Sequence, residues 1–317
     1  MTFALPQFAD VEAFDTWRRE PAGWLPAALA VAQDAGLPTS DPTVFATGTN
    51  LVLGLGPGLI LKIFPPQLRG QFEAERASLR QLSGRLPLPI PELLDEGERD
   101  GWPWLAMTRL SGVLGSQAWP AMQETDKERL LRQIGETIAA VQAVAPGEIA
   151  TIGPDWPAFI ERQIERCRAR QIRLGLPERY LDELDALLAA AASVIPLDIQ
   201  PVILTGEYIP ENFLLEERRD GWHLAGLFDF GDVFAGFGEY DLLGPSCFMT
   251  EGRPARIRAL LCGYGVAGER IDEPLRERLL TLTFLHRASN PMRTIAIADW
   301  PSKAPTLKDL GRLLWPD

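Results

Sequence analysis

Near Ser111-Gly112 the chain turns from mainly strand-like to mainly helical periodicity, and this change constrains the fold more than any other feature. Before it, short runs rich in branched and aromatic residues read as strands at 43–46, 51–53 and 59–64, with two more around 92–96 and 103–110. Turn-like segments at 47–50 (Thr-Gly-Thr-Asn), 54–58 and 98–101 separate them. One helix, 71–83, interrupts the series, and the Leu-Pro-Leu-Pro-Ile-Pro run at 86–91 cannot continue it. Residues 10–36 read as helical, with a break at 21–23. Beyond Gly112 the period becomes helical. In 126–144, Leu130, Ile134, Ile138 and Val141 recur every three or four residues, and helices follow at 155–174, 178–194 and from about 240. A strand-rich island at 202–204, 212–215 and 222–228 interrupts them. The pattern predicts an α+β fold of two lobes. Residues 1–110 form a small antiparallel β lobe with a helical N-terminal extension, and residues 111–317 form a larger helical lobe that holds the island.

Composition excludes several classes of function. With 43 acidic and 31 basic residues the net charge is -12, a field that repels nucleic acid and anionic membrane. The longest apolar run, 186–196, is shorter than the roughly 18 residues a membrane-spanning helix needs. Three cysteines and two histidines are too few for a disulfide framework or a zinc cage, and they argue against a Ser-His-Asp triad. A cytoplasmic setting is expected. Residues 1–15 carry Asp10, Glu12 and Asp15 and no basic cluster, which reads against a secretory signal.

The island carries the chemistry. It reads Thr205-Gly206-Glu207-Tyr208-Ile209-Pro210-Glu211-Asn212, and seventeen residues after Asn212 comes Asp229, followed by Phe230 and Gly231. Upstream, Lys62 lies inside a strand-like apolar run and Glu75 on the next helix. Each part suits phosphoryl transfer. A loop carboxylate accepts a proton from an attacking hydroxyl, and Asn and Asp offer hard oxygen ligands to magnesium. A strand lysine neutralises phosphate, and a helical glutamate holds the lysine in place. Singly, Lys62 also reads as a snorkelling edge lysine and Glu75 as a solvated helix position. The glycines at 54, 56 and 58 surround Pro57 and return directly to a strand, so they read as a hairpin turn and not as a dinucleotide loop. The arginines of 162–173 are interleaved with Glu161 and Glu165 and read as a solvated face, while His223 and His286 read as ordinary polar positions.

In this order and spacing the sequence resembles the aminoglycoside phosphotransferase and choline-kinase-like family, small-molecule relatives of protein kinases, over about residues 40–245. The family's catalytic loop corresponds to Thr205-Gly206-Glu207 with Asn212 in register, and its strand-end motif to Phe228-Asp229-Phe230-Gly231. Its later Tyr-Asp-Leu motif is similar to Tyr240-Asp241-Leu242, and its helical glutamate to Glu75, seven residues before Leu82. The resemblance implies a protein-kinase-like fold and the use of ATP and Mg²⁺. It implies transfer of the γ-phosphoryl group to a hydroxyl of a small-molecule acceptor. Glu207 would be the catalytic carboxylate, and Asn212 and Asp229 the magnesium ligands. Lys62 and Glu75, with the loop residues Gly48, Thr49 and Asn50, would hold the phosphates, and the backbone of Thr108 to Leu110 would meet adenine. Three positions depart from the pattern: Thr205 stands for the loop His, Glu207 for the loop Asp, and Val141-Gln142 for a Leu-His pair. Glutamate keeps the charge but adds one methylene, and a displacement of about 1 Å can cost ~10²-fold in rate. Two readings follow: an active small-molecule kinase, or a nucleotide-binding protein without catalysis that serves as a binding module. The segments expected to build the acceptor pocket, about 155–195 and 245–317, carry no signature that names the acceptor, and the oligomeric state is left open.

Overall fold

Two helices precede the first strand. In α1 (Val11–Arg18) the Asp10 side chain caps the first turn by accepting from the Ala13 amide. In α2 (Pro21–Asp34) proline occupies the first helical position, where its missing N–H costs nothing. The break between the helices therefore falls at Arg19-Glu20, ahead of the expected 21–23, because Pro21 starts a helix instead of ending one. The structure, a computed structural model, describes residues 4–266 and 271–316. The extreme ends of the two expected lobes, 1–3 and 317, and the segment 267–270 lie outside the described residues.

β1 (Pro42–Phe45), β2 (Leu51–Leu55) and β3 (Leu59–Ile63) are followed by α3 (Arg69–Leu82), β4 (Leu93–Arg99) and β5 (Trp102–Thr108). The sheet order is β1-β2-β3-β5-β4, and every neighbouring pair is antiparallel. Asp100 and Gly101 between β4 and β5 both have positive φ, at 54° and 82°, the backbone that a tight two-residue hairpin turn requires. Side chains alternate across the sheet. Leu53, Leu61, Ile63, Trp102 and Trp104 pack against α1 and α2 with Phe14 and Trp24. Phe64, Leu105 and Met107 pack on the opposite face with Phe72, Leu79 and Leu82 of α3.

The remainder is mainly helical, with principal helices Glu124–Gln142, Trp156–Arg173, Leu181–Val194, Pro254–Tyr264 and Glu273–Leu285. The first and fourth cross so closely that a Cβ on Gly135 would collide with the Leu260 carbonyl. β6 (Val113–Leu114), β7 (Val202–Leu204), β8 (Phe213–Arg218), β9 (Gly221–Leu227) and β10 (Phe234–Gly236) make two small sheets, β6-β8-β9 and β10-β7. β10 is three residues long and has no alternating pattern that sequence could reveal. Among the described residues no helix is long and apolar enough to cross a membrane.

Candidate active site

Strand alternation aims Lys62. Its neighbours Leu61 and Ile63 face α1 and α2, so Lys62 faces α3, where Glu75 sits among apolar side chains. Both are buried, at 6% and 2% exposure. The Lys62 ammonium donates to Glu75 Oε2 at 2.5 Å and to Asp229 Oδ1 at 2.9 Å. Burial works against the Lys62 charge, but the carboxylates of Asp229 and Glu75 outweigh it and hold the ammonium above the ordinary lysine range. Burial pushes the Glu75 carboxyl up to about 7 against the pull of Lys62. Burial also opposes the Asp229 charge, yet the ammonium beside it keeps its carboxyl below the usual range. A buried ammonium without such partners would be costly, so the snorkelling-edge reading of Lys62 and the solvated-face reading of Glu75 do not hold.

Asp229 follows the end of β9 with φ at 69°, a left-handed backbone that a non-glycine residue adopts at a cost of roughly 1–3 kcal/mol. Phe230, 1% exposed, anchors the segment in the core. The loop 205–212 reaches the same place through β8. The Phe228 amide donates to the Asn212 carbonyl at 3.1 Å, which seats Asn212 beside Asp229. Asn212 Nδ2 donates to the Glu207 carbonyl at 3.1 Å and to its Oε2 at 3.4 Å. The front of the loop hangs on Asp241, whose carboxylate accepts from the Thr205 and Gly206 amides at 3.1 and 2.8 Å. Burial raises the Asp241 carboxyl to about 7 even so.

Four contributors had no readable signal in the sequence. His286 Nε2 lies 3.2 Å from the Gly206 carbonyl, and its ring stacks on Tyr240 with centroids 4.6 Å apart. The Ala288 amide donates to Nδ1 at 3.2 Å, so Nε2 carries the proton and donates to Gly206. Burial pushes the imidazole down to about 3, and it is neutral. His286 is therefore not the ordinary polar position that sequence suggested: it braces the loop whose own family histidine is Thr205. Asp232 is bound by Arg287, through its carboxylate at 3.0 Å and its carbonyl at 2.8 Å. Gln71 Nε2 donates to Asp232 Oδ1 at 3.3 Å, while its Oε1 accepts from Asn50 Nδ2 at 3.0 Å and Thr49 Oγ1 at 3.3 Å. Gln71 thus links the 47–50 turn to the segment after Asp229.

Burial, followed by the nearby charges of Asp232 and Asp229, raises the Glu207 carboxyl to about 8. Lys62, Glu75, Glu207, Asn212 and Asp229 converge, and Thr49 and Asn50 join them through Gln71. Gly48, with φ at 93°, is exposed and touches nothing within reach of a Cβ. Thr108 is partly spent. Its amide donates to the Glu92 carbonyl at 2.9 Å, and its hydroxyl oxygen accepts from the Glu92 amide at 2.8 Å. The Arg109 amide likewise donates to the Gly58 carbonyl, at 2.9 Å. Among the described residues no three His, Cys, Asp or Glu side chains form a ready metal cage. The oxygen-rich set of Asp229, Asn212 and Asp232 still suits magnesium, which keeps water and phosphate ligands and takes only one or two carboxylates.

A family model described as the phosphotransferase enzyme family matches residues 11–279. Homoserine kinase of Pseudomonas aeruginosa is 29% identical over 192 residues, 56% of this chain and 55% of the relative. The chain thus spans about half the length of the curated relatives it matches. The GDP complex of wild-type aminoglycoside 2'-phosphotransferase-IIIa superposes with a TM-score of 0.67 at 19% identity, covering 92% of this chain and 96% of that one. A streptomycin-ATP-APH(2'')-IIa ternary complex superposes at 0.56 with 15% identity, covering 77% and 83%. At these identities the two structures show the fold, which is protein-kinase-like as expected. With the family model spanning most of its length, the chain belongs to the phosphotransferase enzyme family.

Proposed function

We propose that the chain transfers the γ-phosphoryl group of ATP to a hydroxyl of a small acceptor, in the cleft between lobes 1–110 and 111–317. The observation that carries this reading is Lys62, whose ammonium is held at once by Glu75 at 2.5 Å and Asp229 at 2.9 Å. That pairing fixes a cation where a triphosphate needs one. Gly48, Thr49 and Asn50 line the phosphate end, and the backbone near Leu110 faces the base. When bound, Mg²⁺ supplies neutralisation of the phosphate charge, and Asn212 and Asp229 are its proposed ligands. The acceptor oxygen attacks the γ-phosphorus, the bond from that phosphorus to the β,γ-bridging oxygen breaks, and the electron pair leaves with ADP. The acceptor proton passes to the Glu207 carboxylate, whose proton affinity near neutral pH suits a general base.

The test is Mg²⁺-dependent ADP release by the wild type, Glu207→Ala and Asp229→Ala. The reading predicts turnover that falls by about 10²-fold or more in both variants. Equal rates at the uncatalysed background in the wild type and Glu207→Ala, with nucleotide binding retained, would instead support the binding-module reading that Glu207 raises.

A further inference from the structure

Resting on the phosphotransferase reading, we infer that the acceptor is a small uncharged alcohol with an apolar body, held in a cavity beside Glu207. The cavity measures about 130 Å³. A cavity of about 150 Å³ holds a benzene, so the space suits roughly six heavy atoms, far below the ~300–1,000 Å³ of drug-sized sites. Its lining includes Ile209, Leu243, Cys247 and Phe248, with Thr283 and Thr294 beside them and an open rim at Ala288. Neither threonine offers its proton to a guest. The Thr283 hydroxyl donates to the Leu279 carbonyl at 2.8 Å, and the Thr294 hydroxyl to the Asn290 carbonyl at 2.9 Å. The Ser289 hydroxyl oxygen accepts from the buried Gln171 side chain at 3.0 Å.

Charge excludes two other acceptor classes. Among the described residues lining the cavity, Glu207 carries the one carboxylate and none carries a positive charge, His286 being neutral. A polycationic aminoglycoside would meet a single acidic partner among the lining residues. A zwitterionic amino acid such as homoserine would bring a carboxylate with no cation to receive it. Two arginines beside the cavity are engaged elsewhere. Arg287 binds Asp232, and Arg170 donates to the Phe284 carbonyl at 2.8 Å and to the Arg287 carbonyl at 3.2 Å. An unpaired charge in such a pocket costs more than the contacts return.

The experiment has two arms. In the first, 3-methyl-1-butanol, benzyl alcohol, homoserine and streptomycin are offered with Mg-ATP, and phosphoester formation is followed by phosphorus NMR. In the second, which needs no nucleotide, binding of the two neutral alcohols is read by saturation-transfer NMR on wild type, Cys247→Phe and Ala288→Trp. Cys247→Phe fills the cavity. Ala288→Trp covers its exposed rim and serves if the first variant does not fold. We expect kcat/KM for the neutral alcohols to exceed that for homoserine and streptomycin by about 10²-fold or more, the size of an unpaired-charge penalty. We also expect both filling variants to lose probe binding. Streptomycin or homoserine turning over as well as the neutral alcohols would overturn the inference and leave the kinase reading intact. So would failure of both alcohols to bind, or equal binding by the filled variants. Probe binding that the variants abolish, without turnover of any acceptor, would support the pocket assignment and overturn the phosphotransfer reading instead.

Discussion

The Lys62 ammonium donates to the Asp229 carboxylate at 2.9 Å, although 167 residues separate the two in the chain. The contact joins β3 to the segment after β9, and no local propensity produces it. It exists because strand alternation turns Lys62 toward α3 while Phe230 anchors Asp229 from the other side.

Replacing Lys62 by Met keeps most of the unbranched side chain and removes its charge. The Glu75 carboxylate is then buried without its cation, and the expected destabilisation is about 3 kcal/mol at neutral pH. The cost shrinks on acidification, because the buried Glu75 carboxyl takes up a proton readily. Urea unfolding of the wild type and Lys62→Met at pH 5 and pH 8 measures this. A pH-independent difference would contradict it. Phosphotransfer should fall by roughly 10²–10³, as for loss of one preorganised electrostatic contact.

At Glu207 the added methylene should be built into the loop. Glu207→Gln loses the proton acceptor and should reduce kcat by about 10²–10⁴. Glu207→Asp restores the residue usual in the family but in a loop shaped for the longer side chain. It should also lose activity, by about 10²-fold for a displacement near 1 Å. Wild-type or better turnover by the aspartate variant, measured by ADP release, would show that the loop does not depend on the longer side chain.

His286 gives a pH signature in stability. Its folded value, pushed down to about 3, lies below the ordinary histidine value of 6.5. Between these values the unfolded chain binds a proton that the folded chain refuses, so stability rises with pH through this window and is lost as pH falls. The slope is at most about 1.4 kcal/mol per pH unit. His286→Phe keeps a ring against Tyr240 and removes the titration. On acidification from pH 6.5 the stability difference should move in favour of the variant, as read from urea midpoints. Parallel curves would count against a neutral, half-buried imidazole.

The close crossing at Gly135 is a stability device remote from the chemistry. Gly135→Ala places a methyl against the Leu260 carbonyl, so the variant should lose about 1–3 kcal/mol, as overpacking does. Thermal unfolding reads the loss, and nucleotide affinity of the folded protein should not change.

What sequence could and could not show follows the range of the signals. β1 to β5 and α3 were legible because each carries its own period and its own turn residues, and Asp229 and Asn212 because their spacing is fixed within one island. Lys62 and Glu75 were legible only through that island, since each alone has a blander reading. His286, Arg287 and Gln71 were not legible. His286 meets the loop at a separation of 80 from Gly206, Gln71 and Arg287 meet Asp232 from other elements, and a lone histidine or glutamine has no periodic or spacing signature. Pro21 was read as a breaker when its place at a helix start makes it an initiator. The amide of Thr108, expected near adenine, pairs with the Glu92 carbonyl, a contact that sequence gives no sign of.

The most direct test of the shared crevice is the Mg²⁺ dependence of binding of a non-hydrolysable ATP analogue, titrated calorimetrically into wild type and Asp229→Asn. Wild type should bind about tenfold or more tightly with Mg²⁺ than without it, a difference of ~1.4 kcal/mol or more, and Asp229→Asn should bind alike in both conditions. Full Mg²⁺ dependence in Asp229→Asn, or none in the wild type, would contradict the placement of Lys62 and Asp229 on one nucleotide site.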